Sequence, residues 1–250
     1  MADPATTTWR ALTWNILGAR QPDLSAIAAV VSDLEPDVVG LQEVQRRQVR
    51  KLARHLGWHY AWARKHYPYT PLVWWRAEGI AILSPWVLSA RMRTTISPGI
   101  STWIYKHRVL LAATITRRDG ALRLFNTHLA SHDADERIAQ AKRVADHGRG
   151  DTTPRHIVTG DLNTNDGSEV EVLRELRAVG LTDPDGAFTN PSGAPYQRID
   201  YVLVPHAAIR DENFSRRTRA AFHHRRRRSA QRLRTVHRRA REALRSAHRG

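Results

Sequence analysis

Asp161 and Asn163 stand two residues apart, just after the apolar pair Ile157-Val158. On an extended backbone that spacing turns both side chains to one side. The carboxylate can accept a proton or face a cation, and the carboxamide offers an N–H donor and a carbonyl acceptor. Together they could hold a water beside a second oxygen. Ordinary turns after strands favour the same two residue types, so the pair decides nothing alone. Other polar residues stand in similar places. Asn15, Glu43, Glu78, His128 and Asp200 each lie at or next to the end of an apolar, strand-like run. Strand-end loops are where α/β proteins place their chemistry. Singly, each reads as a turn residue, a solvated acid or a structural histidine. Their coincidence in one chain is harder to explain that way.

The elements that must position these residues are readable from periodicity. Residues 9–15 alternate as a strand. Leu24, Ile27, Val30, Val31 and Leu34 recur at helical spacing, with Pro36 beyond them. Residues 37–43 are apolar on both faces, as in a buried parallel-type sheet, and end on an acid. Residues 45–56 form a basic helix closed by Gly57. Residues 78–83, 108–115, 121–129, 156–159 and 198–204 read as further strands. Asp119-Gly120 predicts a hairpin between the second and third of them. Residues 131–147 and 168–179 read as helices. Residues 88–107 suggest a long loop or short edge strands. Residues 58–76 are rich in Trp and Tyr; packing over a sheet edge is preferred to lining a substrate groove. Strands alternating with helices in some places and forming a hairpin in another give two mixed sheets with helices outside.

The chain has 250 residues and no cysteine. That is enough for one α/β domain and excludes disulfides, thiolate metal sites and a cysteine nucleophile. No run of apolar residues is long enough to span a membrane, and the polar start lacks the order of a signal peptide. A cytoplasmic enzyme fits this composition. The net charge of +16 is unevenly placed: residues 216–250 hold 14 Arg against one acid, Glu242. The remaining residues are near neutral, so the basic pI describes a tail and not the fold.

Taken in order, Trp14-Asn15, Leu41-Gln42-Glu43, Glu78-Gly79, Asn126-Thr127-His128-Leu129, Gly160-Asp161-Leu162-Asn163 and Arg198-Ile199-Asp200-Tyr201 resemble the endonuclease/exonuclease/phosphatase family. The resemblance covers about residues 9–205. It implies a DNase I-like, four-layer α/β/β/α sandwich and Mg²⁺-dependent hydrolysis of phosphoesters, with Mn²⁺ as a possible substitute. Implied substrates are nucleic acids, nucleotides, and lipid or inositol phosphate head groups, acted on by a monomer. A hard cation takes oxygen ligands and keeps several waters, so the resemblance makes Glu43 its ligand with Asn15 beside it. Asp161 would orient or deprotonate the attacking water, and Asn163 would donate to a phosphate oxygen. His128 would donate to the charge developing on phosphorus. Glu78 would accept from the other ring nitrogen of His128 and favour the imidazolium.

The chain departs from the pattern after residue 204. Asp200 should orient a second His in a Ser-Asp-His motif followed by an apolar strand. No such motif follows; His223-His224 lacks the preceding Asp and leads into Arg225–Arg228. The expected organisation is therefore an incomplete domain over residues 9–214 and an Arg-rich tail over 215–250. The tail reads either as a basic arm for nucleic acid or acidic lipid, or as the product of a shifted reading frame in a GC-rich gene; the second is preferred. Two functions stay open: an impaired metal-dependent phosphoester hydrolase, or an inactive product whose tail binds nucleic acid without sequence preference.

Overall fold

The structure, a computed structural model, describes residues 8–65, 76–98, 107–153, 155–164, 169–184, 188–191 and 194–209. Four strands, β1 (Ala11–Asn15), β2 (Val38–Gln45), β3 (His59–Arg64) and β4 (Glu78–Ser84), form one sheet in the order β1-β2-β4-β3. Six more form the other: β5 (Leu88–Thr95), β6 (Val109–Arg117), β7 (Gly120–His128), β8 (His156–Asp161), β9 (Leu181–Thr182) and β10 (Asp200–Pro205). Their order is β5-β6-β7-β8-β10-β9. Both sheets are mixed: β1/β2 and β7/β8 run parallel, whereas β2/β4, β6/β7 and β8/β10 run antiparallel. The helices are α1 (Leu24–Leu34), α2 (Arg46–Leu56), α3 (Ala134–Arg149), α4 (Glu169–Arg177) and the short α5 (His206–Ile209).

Three apolar layers separate four layers of structure. Ile27, Val31, Val49 and Leu52 of α1 and α2 pack with Leu41 and Leu83 of the first sheet. Ala141, Val144, Val172 and Leu176 of α3 and α4 pack with Phe125 and Val158 of the second. Between the sheets lie Val38, Ile80, Ile82, Leu122 and Leu124. β6 shows why its sequence is apolar on both faces. Val109, Leu111, Ala113 and Ile115 point to the opposite sheet, while Leu110 and Ala112 point to the helices. The predicted α/β/β/α sandwich is the observed architecture.

Local chemistry sets the element ends. Asp23 caps α1, its side chain accepting from the N–H groups of Ser25 and Ala26. Gln45 and Gln48 form a reciprocal capping box at the start of α2, and Gly57 ends that helix at φ 67°. Arg117 and Gly120 close the β6/β7 hairpin as a ladder pair. Residues 88–95, left between loop and edge strand, form β5 at the edge of the six-stranded sheet. β3 was not foreseen. Its Ala61 and Ala63 enter the layer between the sheets, whereas Trp58, Tyr60 and Trp62 pack against the α1/α2 core. Trp62 also donates through Nε1 to the carbonyl of Val44 at 2.9 Å. The packing reading thus holds for these three rings; Tyr67, Tyr69, Trp74 and Trp75 lie outside the described residues, as does the tail. No helix among the described residues is long and apolar enough to cross a membrane.

Candidate active site

Ladder register gathers the expected residues at one edge of the sandwich. Asn15 lies level with Gln42 across the parallel β1/β2 pair. His128 lies level with Asp161 across the parallel β7/β8 pair. Antiparallel β10 then sets Asp200 opposite Asp161. Asn15, Glu43, His128, Asp161, Asn163 and Asp200 line one cavity of about 390 Å³. Glu78, the seventh expected residue, starts β4 beside it and is not part of its lining.

Each side chain is aimed by a local device. β2 changes register against β4 between Leu41 and Val44. This bulge contains Glu43, whose φ is 52°. The left-handed residue leaves the ladder and turns its carboxylate into the cavity. Asn15 donates through Nδ2 to Asp161 Oδ2 at 2.9 Å, linking the two sheets. Its Oδ1 accepts from the N–H of Leu17 at 3.1 Å. Asp161 also accepts on Oδ1 from the N–H of Asn163 at 3.1 Å. Asn163 sits at φ 49° and spends one amide N–H on the carbonyl of Leu129 at 3.0 Å.

Behind the cavity is a buried amide network. Asn126 accepts on Oδ1 from Gln42 Nε2 at 2.8 Å and from Thr159 Oγ1 at 3.2 Å. Its Nδ2 donates to the carbonyls of Leu41 and Ala81 at 3.0 and 2.8 Å. Gln42 Nε2 also reaches Thr13 Oγ1 at 3.1 Å. Thr13, Asn126 and Thr159 each precede a cavity residue by two positions, on β1, β7 and β8; Gln42 directly precedes Glu43. Gly40 makes the approach possible, since a Cβ there would collide with Thr159 Oγ1 and Asn126 Oδ1.

Burial shapes the charges. Asp161 is almost fully enclosed, and burial pushes its carboxyl up to about 6 against the lowering effect of its bonds from Asn15 and Asn163. Asp200 is pushed up to about 7 by burial and then by the charge of Asp161. Its Oδ1 is enclosed and has no hydrogen-bond partner among the described residues. Glu78 is raised by burial and by Glu43.

Two buried cations were not foreseen. Lys65 and Arg108 line the same cavity and are 5% and 9% exposed. Burial, then the charge of Arg108, lowers Lys65 to about 8. Its Nζ lies 3.9 Å from Glu43 Oε1 and 3.0 Å from His128 Nδ1. Glu78 Oε1 accepts from the N–H of Ala19 at 3.0 Å. Neither cation had a sequence signal. Lys65 follows the aromatic β3 and Arg108 directly precedes β6, places where basic residues ordinarily stay in solvent. Arg20, Thr189 and Asn190 complete the polar wall.

The donor set suits a hard, hydrated cation. Glu43 offers a carboxylate that receives no hydrogen bond from the described residues, only an ion pair with Lys65 and a contact with His128 Nδ1, each at 3.9 Å. Asn15 Oδ1 keeps a second lone pair. Among the described residues no cluster of three or more His, Asp or Glu is arranged to enclose a metal. One carboxylate and an amide oxygen leave most positions to water, the habit of Mg²⁺ rather than of zinc.

Comparison with known proteins follows this geometry. No curated protein sequence matches the chain. Among solved structures, an endonuclease/exonuclease/phosphatase family protein from Leptotrichia buccalis superposes with a TM-score of 0.64 at 17% identity, covering 79% of this chain and 87% of that one. A mannosyl-6-phosphatase from Bacteroides thetaiotaomicron gives 0.60 at 18% identity, covering 79% and 85%. A humanized D. rerio TDP2 gives 0.55 at 23% identity, covering 78% and 82%. These likenesses are of fold. A sequence model of the endonuclease/exonuclease/phosphatase family matches residues 12–229, a span that contains every cavity residue named above, and the chain belongs to that family.

Proposed function

We propose that the cavity hydrolyses phosphoesters with the help of a divalent cation, Mg²⁺ before Mn²⁺, held at Glu43 and Asn15. The observation that carries this reading is the pairing of buried Lys65 and Arg108 with Glu43 and Asp161 in one cavity. Buried cations need a counter-charge. Arg108 lines the cavity with an enclosed Nε that has no hydrogen-bond partner among the described residues, and an entering phosphate would bring its guanidinium a counter-charge. The mannosyl-6-phosphatase among the neighbours supports phosphate esters as the substrate class.

When bound, the cation would polarise a phosphoryl oxygen. The chain's own groups do the rest. Arg108 binds the phosphate through a planar set of donors. Asn163 has a second amide N–H for a phosphoryl oxygen. Asp161, oriented by Asn15 and by the N–H of Asn163, takes the proton of the attacking water. A base near 6 is mostly ionised at neutral pH and still able to accept. His128, with Nε2 3.7 Å from Asp161 Oδ2, donates to the phosphoryl oxygen as charge grows there. In this reading turnover falls below that of a complete site, because no Ser-Asp-His motif follows Asp200 in the sequence.

The test is hydrolysis of bis(p-nitrophenyl) phosphate and plasmid DNA with Mg²⁺, with Mn²⁺ and with EDTA. EDTA should abolish turnover, and Glu43→Gln should weaken Mg²⁺ binding by calorimetry with an unchanged circular dichroism spectrum. A rate that survives EDTA, or unchanged affinity in the mutant, sinks the assignment.

A further inference from the structure

The basic helix α2 has no part in the chemistry above. It carries Arg46, Arg47, Arg50, Lys51, Arg54 and His55 and no acid. All of these side chains are exposed. With 3.6 residues per turn, the five Arg and Lys fall within an arc of about 140° and along roughly 12 Å of helix. Val49, Leu52 and Ala53 turn the other way, into the core with α1 and the first sheet. The charged face is therefore a continuous stripe and not a scatter.

This stripe is unlike the rest of the surface. α3 holds Arg149 against Asp146 at 2.6 Å, and α4 sets Arg174 beside Glu171 at 3.6 Å. Arg10 pairs with Glu35. Among the described residues, no Arg or Lys of α2 forms an ion pair. Arg54 Nε only reaches the carbonyl of Arg50 in its own helix, at 3.5 Å. Arg46/Arg50, Arg50/Arg54 and Arg47/Lys51 are like charges four apart, which destabilise a helix. Arg46 and Arg47 also stand in the first turn, where the helix dipole disfavours cations. Local stability argues against this arrangement at every position, so it is explained by something that lands on it.

The stripe starts at the cavity. α2 follows β2 directly, three residues after Glu43. Gln48 in its first turn donates through Nε2 to the carbonyl of Gly18 at 2.8 Å, and so seats the 3₁₀ turn Gly18–Arg20 on the helix. Arg20 of that turn is exposed and lines the cavity. We propose that the exposed face of α2 is a docking surface for the phosphate backbone of a nucleic acid, one stretch of which enters the cavity. One strand presents a phosphate about every 3.4 Å along a duplex, so the stripe faces about three of them. It holds no aromatic ring to stack a base, and exposed cations position a backbone without reading sequence. A bilayer is disfavoured, because the apolar residues of α2 are turned into the core and leave nothing to insert. The choice of a nucleic acid over other polyanions rests on the phosphoester reading; the surface itself does not.

The experiment uses the full chain in EDTA, with a DNA duplex of about 20 base pairs at low salt. Exposed amines are acetylated with an N-hydroxysuccinimide ester and read by mass spectrometry. Residues 216–250 contain no lysine, so binding by the tail is silent in this readout. Lys51 should react at least about fivefold more slowly in the complex, whereas Lys142, exposed on α3 at the other outer layer, should change by less than about twofold. Equal protection of both, or of neither, overturns the proposal. So does protection of Lys51 by phosphatidylserine vesicles and not by DNA. The triple variant Arg47→Gln, Arg50→Gln, Lys51→Gln should reduce the slope of log Kobs against log salt by about 2–3. With Mg²⁺ it should lower kcat/KM on the same duplex by about tenfold, with bis(p-nitrophenyl) phosphate hydrolysis held within about twofold. An unchanged salt slope overturns the proposal. Protection of Lys51 with no hydrolysis of either substrate supports the surface and counts against the phosphoester reading alone. Hydrolysis of the small diester without protection of Lys51 does the reverse.

Discussion

Asp161 and Asp200 face each other across an antiparallel pair, the first buried and the second half-buried, both raised above the usual carboxylate range. The consequence for stability runs opposite to that of a salt-bridged acid. A carboxyl whose folded value exceeds its unfolded value favours folding while it is protonated, and that advantage is lost as pH rises through the folded value. For Asp200, with a folded value of about 7, the loss falls between about pH 4 and pH 8. Asp200→Asn should therefore raise the melting temperature by about 5 °C at pH 8 and by under about 1 °C at pH 4. Equal shifts at both pH values would remove the charge from the explanation. Activity follows the other acid: with Asp161 near 6, kcat should fall about tenfold per pH unit below that value, and Asp161→Asn should abolish this limb of the profile. These acids were legible in the sequence because strand-end polar residues advertise themselves by type and position. Lys65 and Arg108 were not, because nothing in a basic residue's neighbours along the chain says that the fold will bury it.

At the scale of elements, the informative feature is the mixture of ladders. Two parallel pairs bring strand C-termini to the cavity edge, which apolar runs and a predicted hairpin together anticipated. The bulge that aims Glu43 was invisible, because a left-handed glutamate leaves no compositional mark. β3 was missed for a similar reason: its alternation of small and aromatic residues reflects two different layers, not an inside and an outside. Asn126 was identified as part of a motif without a task. Its four hydrogen bonds join β7 to β2, β4 and β8. Asn126→Leu keeps the volume but strands two carbonyls and the donors of Gln42 and Thr159, a loss on the order of 3–5 kcal/mol. Denaturant unfolding should show that drop. Thr159→Val, which removes one bond, should cost about 1 kcal/mol; equal effects would mean that packing and not the network is being measured.

At the scale of the whole molecule, the cavity is assembled from both sheets, Asn15 and Glu43 from one, His128, Asp161 and Asp200 from the other. Charge is distributed differently: of a net +16, residues 216–250 hold all but a small remainder. A chain lacking those residues should elute from heparin at much lower salt, since the salt dependence of polyanion binding scales with the number of neutralised phosphates. Its hydrolysis of a small diester should stay within about twofold of the full chain if no tail residue enters the cavity; a large loss would implicate His223 or His224. The expected domain limit at residue 214 is tested by the same pair of proteins. Fold class was readable at this scale because periodicity and hairpin chemistry constrain topology. Substrate was not, because Thr189, Asn190 and Arg20 reach the wall from short irregular segments and a single 3₁₀ turn whose sequences carry no pattern.

Gly40 has a mechanical consequence. Hydrocarbon layers can slide past one another with little resistance, whereas hydrogen bonds are directional. The missing side chain at Gly40 admits Asn126 and Thr159 to the centre of the sandwich, where they pin the two sheets against shear. The cavity at the rim inherits that pinning as a fixed offset between its two halves. The bond from Asn15 to Asp161 then works as a vernier, reading at the rim any slip that occurs at the centre.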